Sequence, residues 1–288
     1  MARLVYHYTS LDALRGILGE NVCLWATKYN HLNDPSEQIW AENLVLKSIK
    51  EQNGYSDEDF AEIKDFLDKK SYILSLSKKR DDRNMWRLYC NDGKGVCLVL
   101  DRDILTKQAY RMTCENPSDT FCILEDVEYA SRKTIKEAVS KCYKKESFHL
   151  ADEEDANKQM KVIPFIKNDD FRIESEVRCA ILKEVDRKTY HYDPITDSPR
   201  KGEIHRNTTG VKFRMRGNDL IPYMDVLFPV KALKGLILGY EVNEHNAKAY
   251  INSLIYPYKS LYKNIFINIS SLFSSQIKDY QKNDNNNK

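Results

Sequence analysis

Short apolar runs alternate with charged segments along most of the chain. The first run, Leu4-Val5-Tyr6-His7-Tyr8, begins almost at the first residue and passes into Thr9 and Ser10, which predicts a strand ending in a titratable ring and two hydroxyls. Ser10 is placed to cap a helix over residues 11–18, with Leu11, Leu14, Ile17 and Leu18 as its apolar stripe and Gly19 as its stop. A strand over residues 22–26 follows. In Asn33-Asp34-Pro35-Ser36-Glu37, an N-cap, a first-turn proline and an acid in capping-box position start another helix, and a further one begins at Ser56. Residues 71–77 alternate with period two over their second half and read as a half-buried strand. Residues 84–89 read as a short helix. Residues 96–100, 121–130, 233–238 and 265–269 read as strands, residues 243–256 as a helix, and residues 187–216 as a polar hairpin. A turn at residues 167–172 runs into a strand that reaches residue 182. The whole reads as one mixed α+β domain over residues 1–270, with a charged helical insertion at about residues 131–163 and a polar tail, disordered at its end, over residues 271–288.

The 42% hydrophobic content of these 288 residues is ample for a buried core. Charge is plentiful but nearly balanced at +2, so bulk charge does not announce a nucleic-acid binder. No apolar run is long enough to span a membrane and no secretory signal is visible. The seven cysteines include no Cys-x-x-Cys pair, which points to reduced thiols in the cytoplasm and to no metal site. There is no Walker loop, no dinucleotide glycine fingerprint and no Gly-x-Ser-x-Gly.

The strongest chemical signal is Glu174-x-Glu176-x-Arg178. In a strand, residues two apart share a face, so two carboxylates and a guanidinium would stand together. One carboxyl would then resist ionisation unless Arg178 pairs with it. Taken alone, the triplet fits a charge ladder on an edge strand better than a site, and a lone His7 is more often a structural histidine than a catalyst. Ser75 and Ser77 form a second same-face pair. Trp25, Trp86 and Tyr89 offer flat surfaces for a planar ring, and Asn33 and Asp34 offer polar groups.

The order and spacing of these pieces resemble a large bacterial family, domain of unknown function 2971. The resemblance rests on Tyr6-His7-Tyr8-Thr9-Ser10, Leu24-Trp25, Asn33-Asp34-Pro35-x-Glu37, Ser75-Leu76-Ser77, Trp86 with Tyr89, Gly95, Glu174-x-Glu176-x-Arg178 and Leu236-Ile237-Leu238-Gly239, and covers roughly residues 4–240. That family in turn looks like a remote branch of the ADP-ribosyltransferase fold, with an opening similar to that of the DNA-modifying DarT toxins.

The resemblance implies a split central sheet, rich in antiparallel strands and flanked by helices. It implies NAD as substrate and ADP-ribosyl transfer to a nucleic acid or protein, in a toxin or effector of antiphage defence with an antitoxin or defence-system partner. His7 would bind the ribose hydroxyls, with Tyr8, Thr9 and Ser10 lining the same edge. Glu176, or Glu174, would be the catalytic carboxylate. Trp25, Asn33, Ser75, Ser77, Trp86, Tyr89 and Arg178 would complete the cofactor site. Tyr8 stands where many relatives carry Gly. The alternatives on the same scaffold are an inactive nucleotide-sensing or partner-binding module, NAD hydrolysis, or phosphate transfer on RNA.

Overall fold

The computed structural model describes residues 3–32, 43, 47, 71–115, 120–130, 163–183 and 210–272. Apart from Asn43 and Lys47, which are helical, the expected helices from Asp34 and Ser56 lie outside the described residues, as do the insertion over residues 131–162, residues 187–209 of the expected hairpin, and residues 273–288 of the tail.

The strands are β1 (Leu4–Thr9), β2 (Asn21–Lys28), β3 (Ser71–Ser77), β4 (Val96–Asp101), β5 (Thr120–Asp126), β6 (Glu128–Ala130), β7 (Ile166–Asn168), β8 (Glu176–Lys183), β9 (Val211–Arg216), β10 (Asp219–Pro229), β11 (Leu233–Leu238) and β12 (Phe266–Ile269). The helices are α1 (Leu14–Ile17), α2 (Arg83–Tyr89), α3 (Arg102–Glu115) and α4 (Glu244–Ile255). This is a mixed α+β fold built on a mostly antiparallel open sheet in the order β12-β11-β4-β1-β3-β2-β10-β9, with β8 and β5 branching from β3. Only β11 and β12 run parallel in it, while β6 and β7 form a separate parallel pair.

The branch at β3 positions the site. One edge of β3 is paired with β8 along its whole length, from Ser71↔Leu182 to Ser77↔Glu176. The other edge is shared: Tyr72 and Ile73 pair with β2, and Ser77 pairs with Tyr6 of β1. Between them, β1 and β2 diverge and the sheet opens.

Alternation then sorts side chains onto two faces. Val5, Leu74, Leu76, Leu98, Leu100, Val177, Cys179, Val226 and Leu236 build the larger core under α1, α3 and α4, which contribute Leu14, Ile17, Leu105, Ala109, Ala247 and Ile251. Tyr6, Tyr8, Cys97, Val99 and Ile237 form the opposite face, covered by Met85 and Trp86 of α2. Leu74 and Leu76 face the larger core and Ser77 lies under the Asp169–Glu174 turn, so β3 is buried at every position except Ser75 and is not the half-buried strand its alternation predicts.

Three elements differ from the sequence reading. Helix α3 was not foreseen; the Asp101 carboxylate accepts from Asp103 N and Ile104 N, and Leu105, Ala109 and Met112 make its apolar line. The strand expected over residues 121–130 breaks at Val127, whose amide donates to Glu176 O while β6 turns away to pair with β7. Val211–Arg216 does form a hairpin arm, but its partner is β10, downstream of the turn at Gly217.

Two glycines pin the end of β1. A Cβ on Gly95 would lie 2.2 Å from Thr9 O, and one on Gly239 would lie 2.0 Å from Gly93 O. Both clashes are with backbone, which cannot rotate away. Gly217 has φ +61° but open space around its Cα. Gly95→Ala is therefore expected to cost about 2–3 kcal/mol in urea unfolding as an overpacking lesion, and Gly217→Ala only about 1 kcal/mol as left-handed strain. Equal costs would mean that Gly95 supplies backbone freedom rather than close approach.

Candidate functional site

Where β1 and β2 part, a cavity of about 610 Å³ opens over β3. His7, Tyr8, Thr9, Trp25, Ser75, Ser77, Tyr89, Glu174, Glu176 and Arg178 all line it, together with Thr27, Lys167 and Arg214. The volume falls in the range of small-molecule and cofactor sites, about 300–1,000 Å³.

His7 stands in the gap of the sheet. Its Nδ1 donates to Ser75 O across 3.1 Å, because a carbonyl can only accept. Burial, and then the Arg214 charge, lower its pKa from 6.5 against the opposing effect of the Ser75 bond. The neutral ring with its proton on Nδ1 leaves the Nε2 lone pair as an acceptor.

The carboxylates meet by a different route from the one their spacing suggests. Glu174 is not on a strand: it ends the 3-10 turn Asp169–Glu174, and Ser175 follows in left-handed conformation with φ 45°. Strand β8 starts only at Glu176. The turn is tied to β3, since Ser77 Oγ donates to Glu174 O at 2.6 Å and Lys78 N donates to Ser175 O at 2.8 Å. This brings both carboxylates to Lys167 Nζ, at 2.7 Å from Glu174 Oε2 and 3.3 Å from Glu176 Oε2. Arg178 clasps Glu176 with Nε at 2.8 Å and Nη2 at 3.0 Å, and its Nη1 donates to Pro164 O. All four groups are buried, so the surface-ladder alternative is excluded. Burial alone would raise the pKa of Glu176, but Arg178 and Lys167, aided by the Ser75 hydroxyl, outweigh it and hold the carboxyl below 4.5.

The two carboxylates differ in what they have left. A carboxylate has about four acceptor positions. On Glu176 they face two Arg178 nitrogens, Lys167 and Ser75. Glu174 gives Oε2 to Lys167, and its Oε1 takes no bond among the described residues.

The remaining expected residues divide. Trp86 has no exposure: its Nε1 donates to Asp81, and its ring meets Tyr8 edge-on at 5.0 Å, so it cannot stack on a ligand. Tyr8 is a cavity wall, its hydroxyl donating to Lys79 O and accepting from Asp82 N. The Ser77 hydroxyl is committed to Glu174 O and Lys79 N. Ser10 accepts from Ala13 N at the start of α1 and does not line the cavity. Asn33 lies outside the described residues. Sequence reasoning missed Lys167, Thr27 and Arg214. Lys167 had a signal, since a lone lysine follows the apolar Ile163-Pro164-Phe165-Ile166. Arg214 had none, sitting among alternating basic residues of a polar strand.

Because His7 has a lowered folded pKa, the unfolded chain binds its proton more readily. Its share of stability is complete above pH 6.5 and is lost as the pH falls through the folded value. Urea stability is expected to decline between pH 6.5 and pH 4.5, before the carboxyls titrate, and that portion should vanish in His7→Gln. An unchanged decline in the variant would place the proton uptake elsewhere.

Comparison with known proteins bears on residues 85–179, which match the family model described as "Protein of unknown function (DUF2971)". The matched span runs from α2 to β8 and holds Trp86, Tyr89, Gly95, Glu174, Glu176 and Arg178. No curated protein and no solved structure matches the chain. Over residues 85–179, about a third of the chain, the protein is thus similar to the DUF2971 family, in agreement with the sequence motifs in that span.

Proposed function

We propose that the cavity binds NAD and that the protein transfers its ADP-ribosyl group to a nucleic acid or protein acceptor. What supports the reading is a single juxtaposition. His7, near the start of the chain, and the Glu174–Glu176 pair line the same cavity, where β1 and β2 part over β3. The ADP-ribosyltransferase-like fold is part of the proposal, as is action in the cytoplasm. Among the described residues Cys23, Cys90, Cys97 and Cys179 are free thiols, in keeping with a reducing compartment. Among the described residues, no helix is long and apolar enough to cross a membrane.

In this reading the His7 Nε2 lone pair accepts from a ribose hydroxyl. The nicotinamide–ribose bond breaks with its electron pair leaving on nicotinamide. The ribose passes through an oxocarbenium-like state, which a fixed carboxylate stabilises most where water is thin. Glu176 is held ionised and in place by Arg178 and Lys167, while Glu174 has the open oxygen that can face the sugar or take the proton of the attacking acceptor.

One observation favours a second reading. Glu176 has its acceptor positions filled by protein donors, which suits a nucleotide sensor that binds without turnover.

The two are separated by incubating the full chain with NAD and cell RNA, DNA or protein, and measuring nicotinamide release. Transfer predicts release that falls about 10²–10³-fold in Glu174→Gln. Glu176→Gln should lose activity together with stability, because it removes the carboxylate that clasps the buried Arg178, at about 3–5 kcal/mol, while Lys167 keeps Glu174. Sensing predicts NAD-induced thermal stabilisation, about 2.7 kcal/mol at a hundredfold excess over Kd, with no nicotinamide released. A wild type that neither releases nicotinamide nor is stabilised by NAD defeats both.

A further inference from the structure

Among the described residues four cations line the cavity, Lys167, Arg178, Arg214 and Arg216, against two carboxylates, Glu174 and Glu176. Lys167 and Arg178 are matched by those carboxylates. Arg214 is not. It reaches in from β9, the last strand of the sheet beyond β10, and its Nη2 donates to Thr27 Oγ1 at 2.9 Å. Its guanidinium lies over the Trp25 ring, 5.2 Å from the centroid, and 6.0 Å from that of Tyr223. Nε is shielded from solvent and has no hydrogen-bond partner among the described residues. The nearby acid on β10, Asp225, is taken by Lys212. Among the described residues no carboxylate forms an ion pair with Arg214.

A shielded guanidinium donor without an acceptor is costly, and a charge without a counter-ion adds to that cost. Burial, and then Arg216, push the Arg214 pKa below its ordinary value, although a guanidinium stays charged at neutral pH. Stacking on Trp25 fixes the plane of the fork, and a fixed fork suits a planar or tetrahedral oxyanion better than a lysine would.

We infer that Arg214, held on Trp25 and Thr27, is the anchor for a phosphoryl group of the ligand, the diphosphate of a dinucleotide, at the β9 end of the cavity. The inference takes only the identity of the ligand from the proposed function; the demand for an anion stands on Arg214 itself. His7 lies within electrostatic reach of Arg214, which places the ribose acceptor and the phosphoryl anchor in one binding site.

The test is calorimetric titration of the full chain with inorganic diphosphate and with ADP-ribose, comparing wild type, Arg214→Gln and Arg214→Lys. Wild type is expected to bind both, more weakly as salt rises. Arg214→Gln should weaken both by about 10–100-fold, the loss of a charge-assisted pair of bonds, and Arg214→Lys should recover part of it. The ligand-free melting temperature of Arg214→Gln should stay level or rise, since an uncompensated cation is gone. Three results overturn the site: undiminished binding by Arg214→Gln, no binding by wild type, or a drop in the ligand-free melting temperature with an unchanged ligand response, which marks a packing role. Wild type that binds a short RNA but neither diphosphate ligand overturns it as well. Nicotinamide release keeps the two proposals apart. Binding lost in Arg214→Gln with no release by wild type keeps the anchor and sinks transfer. Release with an unchanged KM in Arg214→Gln keeps transfer and sinks the anchor.

Discussion

The structure around the cavity depends on one buried cluster of charge. Lys167, Glu174, Glu176 and Arg178 are each less than a tenth exposed and come from three successive elements of one stretch, β7, the Asp169–Glu174 turn and β8. Taking such groups out of water is expensive, and their mutual attraction repays it only where geometry is close and the remaining donors and acceptors are filled. Here two carboxylates meet two cations, and the spare Arg178 donor reaches Pro164 O. Such a cluster tolerates the loss of no member, so it fixes β7, the Asp169–Glu174 turn and β8 relative to one another. A charged group could have been replaced by an apolar one if only packing mattered. Its retention at a cavity wall is what a functional site would ask for.

The second constraint is the shared edge of β3. A strand that pairs with one neighbour near its start and another near its end must leave backbone unpaired between them. His7 answers that demand at Ser75 O, and in doing so fixes its own tautomer. The same bond therefore closes part of the gap in the sheet and sets the chemistry that His7 can offer. Gly95 packs its backbone against Thr9 at the end of β1, and Gly239 packs in turn on Gly93.

Much of this was legible along the chain. Apolar runs located β1, β2, β4 and β11, and the helices read over residues 84–89 and 243–256 appear as α2 and α4, because those signals act within a few residues. Alternation failed for β3, where the core covers one face and the Asp169–Glu174 turn covers Ser77 on the other. It also misplaced Glu174, since the left-handed Ser175 interrupts the strand between the two acids. The pairing of carboxylates came out as expected but through Ser77 and Lys167, and long-range contacts of that kind leave no local periodicity. The same holds for Arg214. Nothing about a basic residue in a polar strand reports that Trp25, far earlier in the chain, lies beneath it.

The cavity is electrically polar, and that polarity would orient a ligand. At the β8 wall the charges are matched pairwise, so a ligand group there gains from a fixed carboxylate only if it is positive or becomes so. At the β9 wall Arg214 is unmatched and favours a negative group. His7 sits within reach of Arg214, which helps to keep its ring neutral and therefore able to accept a hydrogen bond. The ligand proposed above, with a phosphoryl group at one end, a sugar in the middle and a bond that breaks toward positive charge at the other, would meet favourable charge in only one direction. Reversed, it would set its anion against two carboxylates and leave Arg214 without an acceptor, so the penalty at each end reinforces the other.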